Sequence, residues 1–147
     1  MGLKTFNANE VSLSIAGRVI NSGFADGDFV KVAMASDAWS DKAGTDGEVT
    51  RSKTNDPRAD ASVFLMQTSD GNDLLAQIYA ADQAAPNGAG VGQFLLRDQF
   101  GRTVIRGQCF ITKLPEVSRG REAGTCEWKL RLIVSEFTVG GSASVGV

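Results

Sequence analysis

The sequence predicts a mainly β fold, a β-sandwich or small barrel with one packed α-helix, and three observations carry that expectation. Apolar and polar residues alternate with a period of two along most of the chain, the mark of strands with one buried face. The pattern switches once to helical spacing, between Leu74 and Tyr79. Glycine accounts for 17 of the 147 residues and proline for 3, a balance that suits tight turns better than disorder. At this length the chain reads as a single domain, residues 1–147.

Taken in order, Val11, Leu13 and Ile15 alternate with Ser12, Ser14 and Ala16, and Val30, Val32 and Met34 alternate with Lys31, Ala33 and Ala35. Both stretches predict half-buried strands. Between residues 37 and 60 the apolar pattern fails, leaving Ala38, Trp39, Ala43, Val49 and Ala59. Asp46-Gly47 is a hairpin-tip signal inside this stretch. An excursion of this length on a compact domain is usually functional, and Trp39 near its base needs a surface to bury against. Residues 61–67 hold Val63, Phe64, Leu65 and Met66, a short run that reads as buried. The helix is expected over residues 73–83, with N-cap side chains in Ser69-Asp-Gly-Asn72, an apolar stripe of Leu74, Leu75, Ile78 and Tyr79, and Pro86-Asn87-Gly88 as its stop. A helix this short needs tertiary packing, so its stripe must lie on the sheet. Residues 93–97 and 102–114 flank a turn at 98–101. In the last strand Trp128, Leu130, Leu132 and Val134 share one face, while Ile133 and Phe137 break the polarity of the other, so part of that second face is also expected to be buried. Residues 140–147 are small and polar and predict a flexible tail.

Composition excludes several functions. The net charge is -2 and there is no histidine. Such a balance gives no bulk attraction to nucleic acid or to a membrane surface. Without histidine the chain lacks the commonest general base and metal ligand. Gly88-Ala-Gly90-Val-Gly92 follows a helix and precedes a strand, the reverse of a phosphate-cradling order, and Gly23 and Gly27 also lack a following helix. Asp26, Asp28, Asp37 and Asp41 lack the spacing of a Ca²⁺ loop. No carboxylate pair suggests a hydrolase. Catalytic, cofactor and metal sites are therefore expected to be absent. Cys109 and Cys126 are too few for a disulfide scaffold and are expected to be free thiols, although they could flank one hairpin. Trp128, Phe64 and Phe110 read as core. No apolar run is long enough to span a bilayer, and the polar N-terminus lacks a signal-peptide core, so the chain is expected to be made and kept in a cytoplasm.

Charge is unevenly placed. Residues 26–48 carry two Lys against six acidic residues. Residues 101–131 carry Arg102, Arg106, Lys113, Arg119, Arg121, Lys129 and Arg131 against three acidic residues. An acidic face on one copy meeting this basic face on the next would use two different patches, and such a contact repeats into rings or filaments.

Several strings resemble the tail tube protein family of contractile-tailed bacteriophages. They are Ser22-Gly-Phe24-Ala-Asp-Gly27, Gly44-Thr-Asp-Gly47-Glu48, Arg51-Ser-Lys-Thr54, Gln67-Thr-Ser69 leading to Asn72-Asp-Leu74, Arg97-Asp-Gln-Phe-Gly101, and Gly124 to Glu127-Trp128 ahead of a long strand. The series covers nearly the whole chain. The resemblance implies a β-barrel-like subunit with one outer helix, assembled as hexameric rings stacked into a hollow virion tail tube inside the host cytoplasm. It also implies a surrounding tail sheath, baseplate and tail terminator partners, and DNA passing through the lumen at ejection. The implied fold is similar to that of the type VI secretion tube protein, which is one alternative reading; a monomeric β-barrel module binding a small ligand or glycan is another. In a tube, the excursion at 37–60 would be the inter-ring arm, with Trp39, Lys42, Asp46, Glu48, Arg51 and Lys53 as its contact residues. The -2 balance predicts that DNA slides through without tight binding.

Overall fold

The computed structural model describes residues 3–85, 87–88, 90–99, 101–141 and 144–145. Pro86, Ala89 and Phe100, which belong to the helix stop, the glycine spacer and the 98–101 turn, lie outside them. Among the described residues eleven strands and one α-helix follow in chain order: β1 (Leu3–Lys4), β2 (Val11–Ile15), β3 (Arg18–Ile20), β4 (Val30–Met34), β5 (Trp39–Ala43), β6 (Val49–Lys53), β7 (Arg58–Met66), α1 (Gly71–Ala84), β8 (Gly92–Asp98), β9 (Val104–Lys113), β10 (Thr125–Thr138) and β11 (Ser144–Val145). The body is a seven-stranded antiparallel sheet in the order β3-β2-β8-β9-β10-β7-β4, with β5–β6 and β1–β11 as separate two-stranded ribbons.

The mainly β class with one packed helix is what the sequence predicted. The sheet is strongly curled, and chain geometry requires it. Residues 21–29 join β3, at one edge, to β4, at the other. Six strand intervals of ~4.8 Å would put flat edges ~29 Å apart. Nine residues reach that distance only when fully extended, yet this segment turns through positive φ at Gly23 and Gly27. The Met66 N–H also bonds Gly23 O, and the Ala25 N–H bonds Phe64 O. The two edges therefore approach one another around the core.

That core is the concave face. Leu13, Ile15, Ile20, Val63, Leu65, Phe94, Ile105, Ile111, Trp128, Leu130 and Leu132 are buried there, and Leu75 and Ile78 of α1 close over them. The helix begins at Gly71, slightly ahead of the expected 73, because Ser69 Oγ accepts the Gly71 N–H at 3.1 Å. Asn72 fixes its pose: Nδ2 donates to Met66 O at 3.0 Å, and Oδ1 accepts the Trp128 indole N–H at 2.8 Å. Trp128 is thus a core residue with its one polar atom satisfied.

Three sequence readings change. The 61–67 run is not uniformly buried; β7 alternates, so Phe64 faces outward beneath Lys31, whose Nζ lies 5.7 Å from its ring. Phe110 also lies half-buried on the outward face of β9. In β10, Ile133 is exposed, whereas Phe137 packs on the core. A register shift between Val134 and Glu136 adds a residue and reverses the phase, so Phe137 pairs with Ile105. Gly107 pairs with Val134 at this irregularity, where a Cβ would run into Ile133 O and lie 2.9 Å from Val134 Cα.

Candidate functional site: an exposed arm and a basic end

The excursion at 37–60 grows from an edge hairpin. β4 pairs with β7 from Val30↔Val63 to Met34↔Ala59. Where these strands would be expected to turn, the chain inserts a second hairpin, β5–β6, paired from Trp39↔Lys53 to Ala43↔Val49. The last three residues of the expected excursion, 58–60, belong to β7, because Ala59 is fully buried in the core. Every residue of β5 and β6 is exposed. Period-two alternation is missing here because this ribbon has no buried face to encode.

Local bonds hold the arm. At its root the Thr54 N–H bonds Ala38 O at 2.8 Å. Asp56 takes a forked pair from Arg58, Nε to Oδ1 at 2.9 Å and Nη2 to Oδ2 at 2.8 Å, plus the Ser36 hydroxyl at 2.9 Å. These donors, Arg58 first, hold the Asp56 carboxyl well below the usual carboxylate range, and the same pairing raises Arg58. Along the ribbon the Arg51 guanidinium lies 3.6 Å from the Trp39 ring centroid. This is the surface Trp39 required, though the residue stays 44% exposed. At the tip the Gly47 N–H bonds Gly44 O, Gly47 takes φ 90°, and Asp46 Oδ1 accepts the Glu48 N–H at 3.1 Å.

The six expected contact residues are thus brought onto one ribbon. Trp39, Arg51 and Lys53 cluster near the root, Lys42 lies further out, and Asp46 and Glu48 sit at the tip. Residues 39–53 as a whole carry three acidic and three basic side chains, so the arm is polarised rather than acidic throughout.

The expected basic face is dispersed. Arg102 lies before β9, where its N–H bonds Gly141 O. Arg106 on β9 pairs with Glu136, Nε to Oε1 at 3.1 Å. Arg131 lies 2.9 Å from Asp60 Oδ1, an ion pair rather than an aligned hydrogen bond. Two of the seven cations are therefore matched within the subunit. Lys113, Arg119 and Arg121 sit with Lys129 at the β9–β10 end. Sequence order hides this separation, because the matching acids Asp60 and Glu136 lie outside residues 101–131.

Of the tail, Gly140 O accepts the Thr103 hydroxyl at 3.2 Å, and β11 pairs with β1; residues 142, 143, 146 and 147 lie outside the described residues. Cys109 is buried opposite Leu132 and Cys126 lies opposite Leu65, so the two thiols do not face and both are free. Burial pushes the Cys109 thiol up to about 11. Among the described residues no cluster of three metal-ligating side chains occurs, and no helix is long and apolar enough to cross a membrane.

A body that buries its own core, together with a fully exposed two-stranded arm, has the build of a structural assembly subunit. The profile of the bacteriophage PhiTE tail tube protein family matches residues 4–140. The chain belongs to that family and is a phage tail tube protein, a structural component of the virion tail. The structural protein ORF10 of Pseudomonas phage KPP10 is 27% identical over 125 residues, covering 84% of this chain and 72% of that protein. Two solved chains share the fold at TM-score 0.55 and 13% identity, covering 92% of this chain and all of theirs. One comes from the virion of a native gene transfer agent particle, the other from the tail of an empty particle refined with C6 symmetry.

Proposed function

We propose that the subunit assembles as hexameric rings that stack into the inner tube of the tail, the conduit through which DNA leaves at ejection. The observation that carries this reading is the family match over residues 4–140 on a chain whose arm is exposed along its whole length. The C6 symmetry of the gene transfer agent tail supports a ring of six. The role needs no catalytic residue or cofactor. Assembly takes place in the host cytoplasm, and the finished tube meets sheath, baseplate and terminator proteins.

Two features suit the subunit to this task. The outermost strands, β3 and β4, offer edges to neighbours in a ring. On β4 the Phe64 N–H→Phe29 O and Ala35 N–H→Arg58 O bonds fix the ladder parity, so the amides of Val30, Val32 and Met34 point away from β7. Paired edges would also remove a template for aggregation. Charge is the second feature: with Arg106 and Arg131 held by Glu136 and Asp60, fewer cations are left for phosphates. Negative-stain imaging of purified protein tests the reading. Hollow tubes with six-fold end views, retaining little duplex DNA at physiological salt, are expected. Monodisperse single subunits at high concentration would contradict it.

A further inference from the structure

The arm and the β9–β10 loop stand at opposite ends of the same strands. In the register of β7 with β10, Arg58 lies opposite Ile133 and Met66 opposite Thr125. The arm leaves at the Arg58 end. Residues 114–124 leave at the Met66 end, where the Gln67 N–H bonds Gly124 O and Gln67 Oε1 accepts the Gly124 N–H. At ~3.3 Å per residue, β7 separates the two by roughly 26 Å.

The two ends are also complementary. The arm tip, residues 44–48, carries Asp46 and Glu48 and no cation, with Val49 beside it 63% exposed. At the other end a groove of about 590 Å³ opens between Leu114 and Lys129. Lys113 and Lys129 lie directly opposite one another across β9 and β10 at its wall. Like charges in that position destabilise a sheet unless something lies between them. Glu116 and Glu127 line the same groove and balance the two lysines; the loop beside it adds Arg119 and Arg121 against Glu122, so this end carries four cations against three acids. Leu114 in the groove and Val117 on the loop beside it are exposed, the latter 76%.

Resting on the tube reading above, we infer that this groove is the receptor for the arm tip of a second copy in the adjoining ring. Asp46 and Glu48 enter between Lys113 and Lys129, and Val49 covers Leu114 and Val117. The contact joins two different patches at opposite ends, so it does not close on itself and propagates along an axis.

A charge exchange tests the docking. K113E/K129E inverts the groove. D46N/E48K inverts the tip while keeping the oxygen that accepts the residue 48 N–H. Each variant alone is expected to shorten tubes at least about tenfold, since like-charge juxtaposition at an interface is strongly unfavourable, and the combined variant is expected to regain length. Wild-type tubes alongside undiminished K113E/K129E tubes would overturn the docking and leave the tube reading intact. A wild-type protein that forms no tubes would overturn the tube reading, and the docking with it.

Discussion

The curled body and the arm are both antiparallel β structure, yet different forces hold them. In the body each strand has one face with nowhere to go but the core, and Leu13, Val63, Leu75 and Leu132 are fully buried. In the arm both faces meet solvent, and the ribbon persists through its turn, the Arg51–Trp39 stack and the Asp56–Arg58 fork. An isolated two-stranded hairpin is marginal in water. The comparison predicts that the body folds as a single copy, whereas the arm, with no core of its own, needs a docking partner for its full order.

Substitutions can break this contrast in graded steps. Leu75→Ala opens a cavity between α1 and the sheet and should lower unfolding free energy by ~2–5 kcal/mol in urea titrations. Gly107→Ala presses a methyl group onto the backbone of Ile133 and Val134, and ~1–3 kcal/mol of destabilisation is expected. At the arm root Asp56→Asn should have a smaller effect with a defined pH dependence. Its folded pKa is depressed, so its stabilisation is complete above the unfolded value of ~3.9 and is lost as pH falls toward the folded one. The melting difference between wild type and variant should be constant above about pH 5 and shrink below about pH 4. Trp39→Ala removes an exposed cation–π contact worth ~0.5–1 kcal/mol. It should loosen amide protection in β5 and β6 while leaving the melting of the body unchanged; a matching loss in the body would mean the arm is part of its fold.

The same contrast decides what was legible in the sequence. Body strands announced themselves because burial enforces alternation: Val11, Leu13 and Ile15, or Trp128, Leu130 and Leu132. The Leu74, Leu75, Ile78, Tyr79 stripe placed the helix within two residues of each end. β3 is not legible because the three residues after the Ala16-Gly17 turn are too few to show a period. Phe64, Phe110 and Phe137 are ambiguous for a different reason: aromatic character does not say which face is core, and the added residue after Val134 reverses the phase without a sequence mark. The arm could be seen as an interruption with a tip at Asp46-Gly47, but its strands could not, since nothing in them is buried. The basic cluster blurred because ion pairs such as Arg131–Asp60 form across strands distant in sequence.

Deleting residues 44–47 tests the central claim most directly, because it removes the arm tip and touches no core residue. Melting and imaging are to be measured on the same preparation. A body that folds alone and an arm that only builds the tube predict an unchanged melting transition together with the loss of long tubes, leaving rings or single subunits. Tubes of normal length from the shortened protein would contradict it.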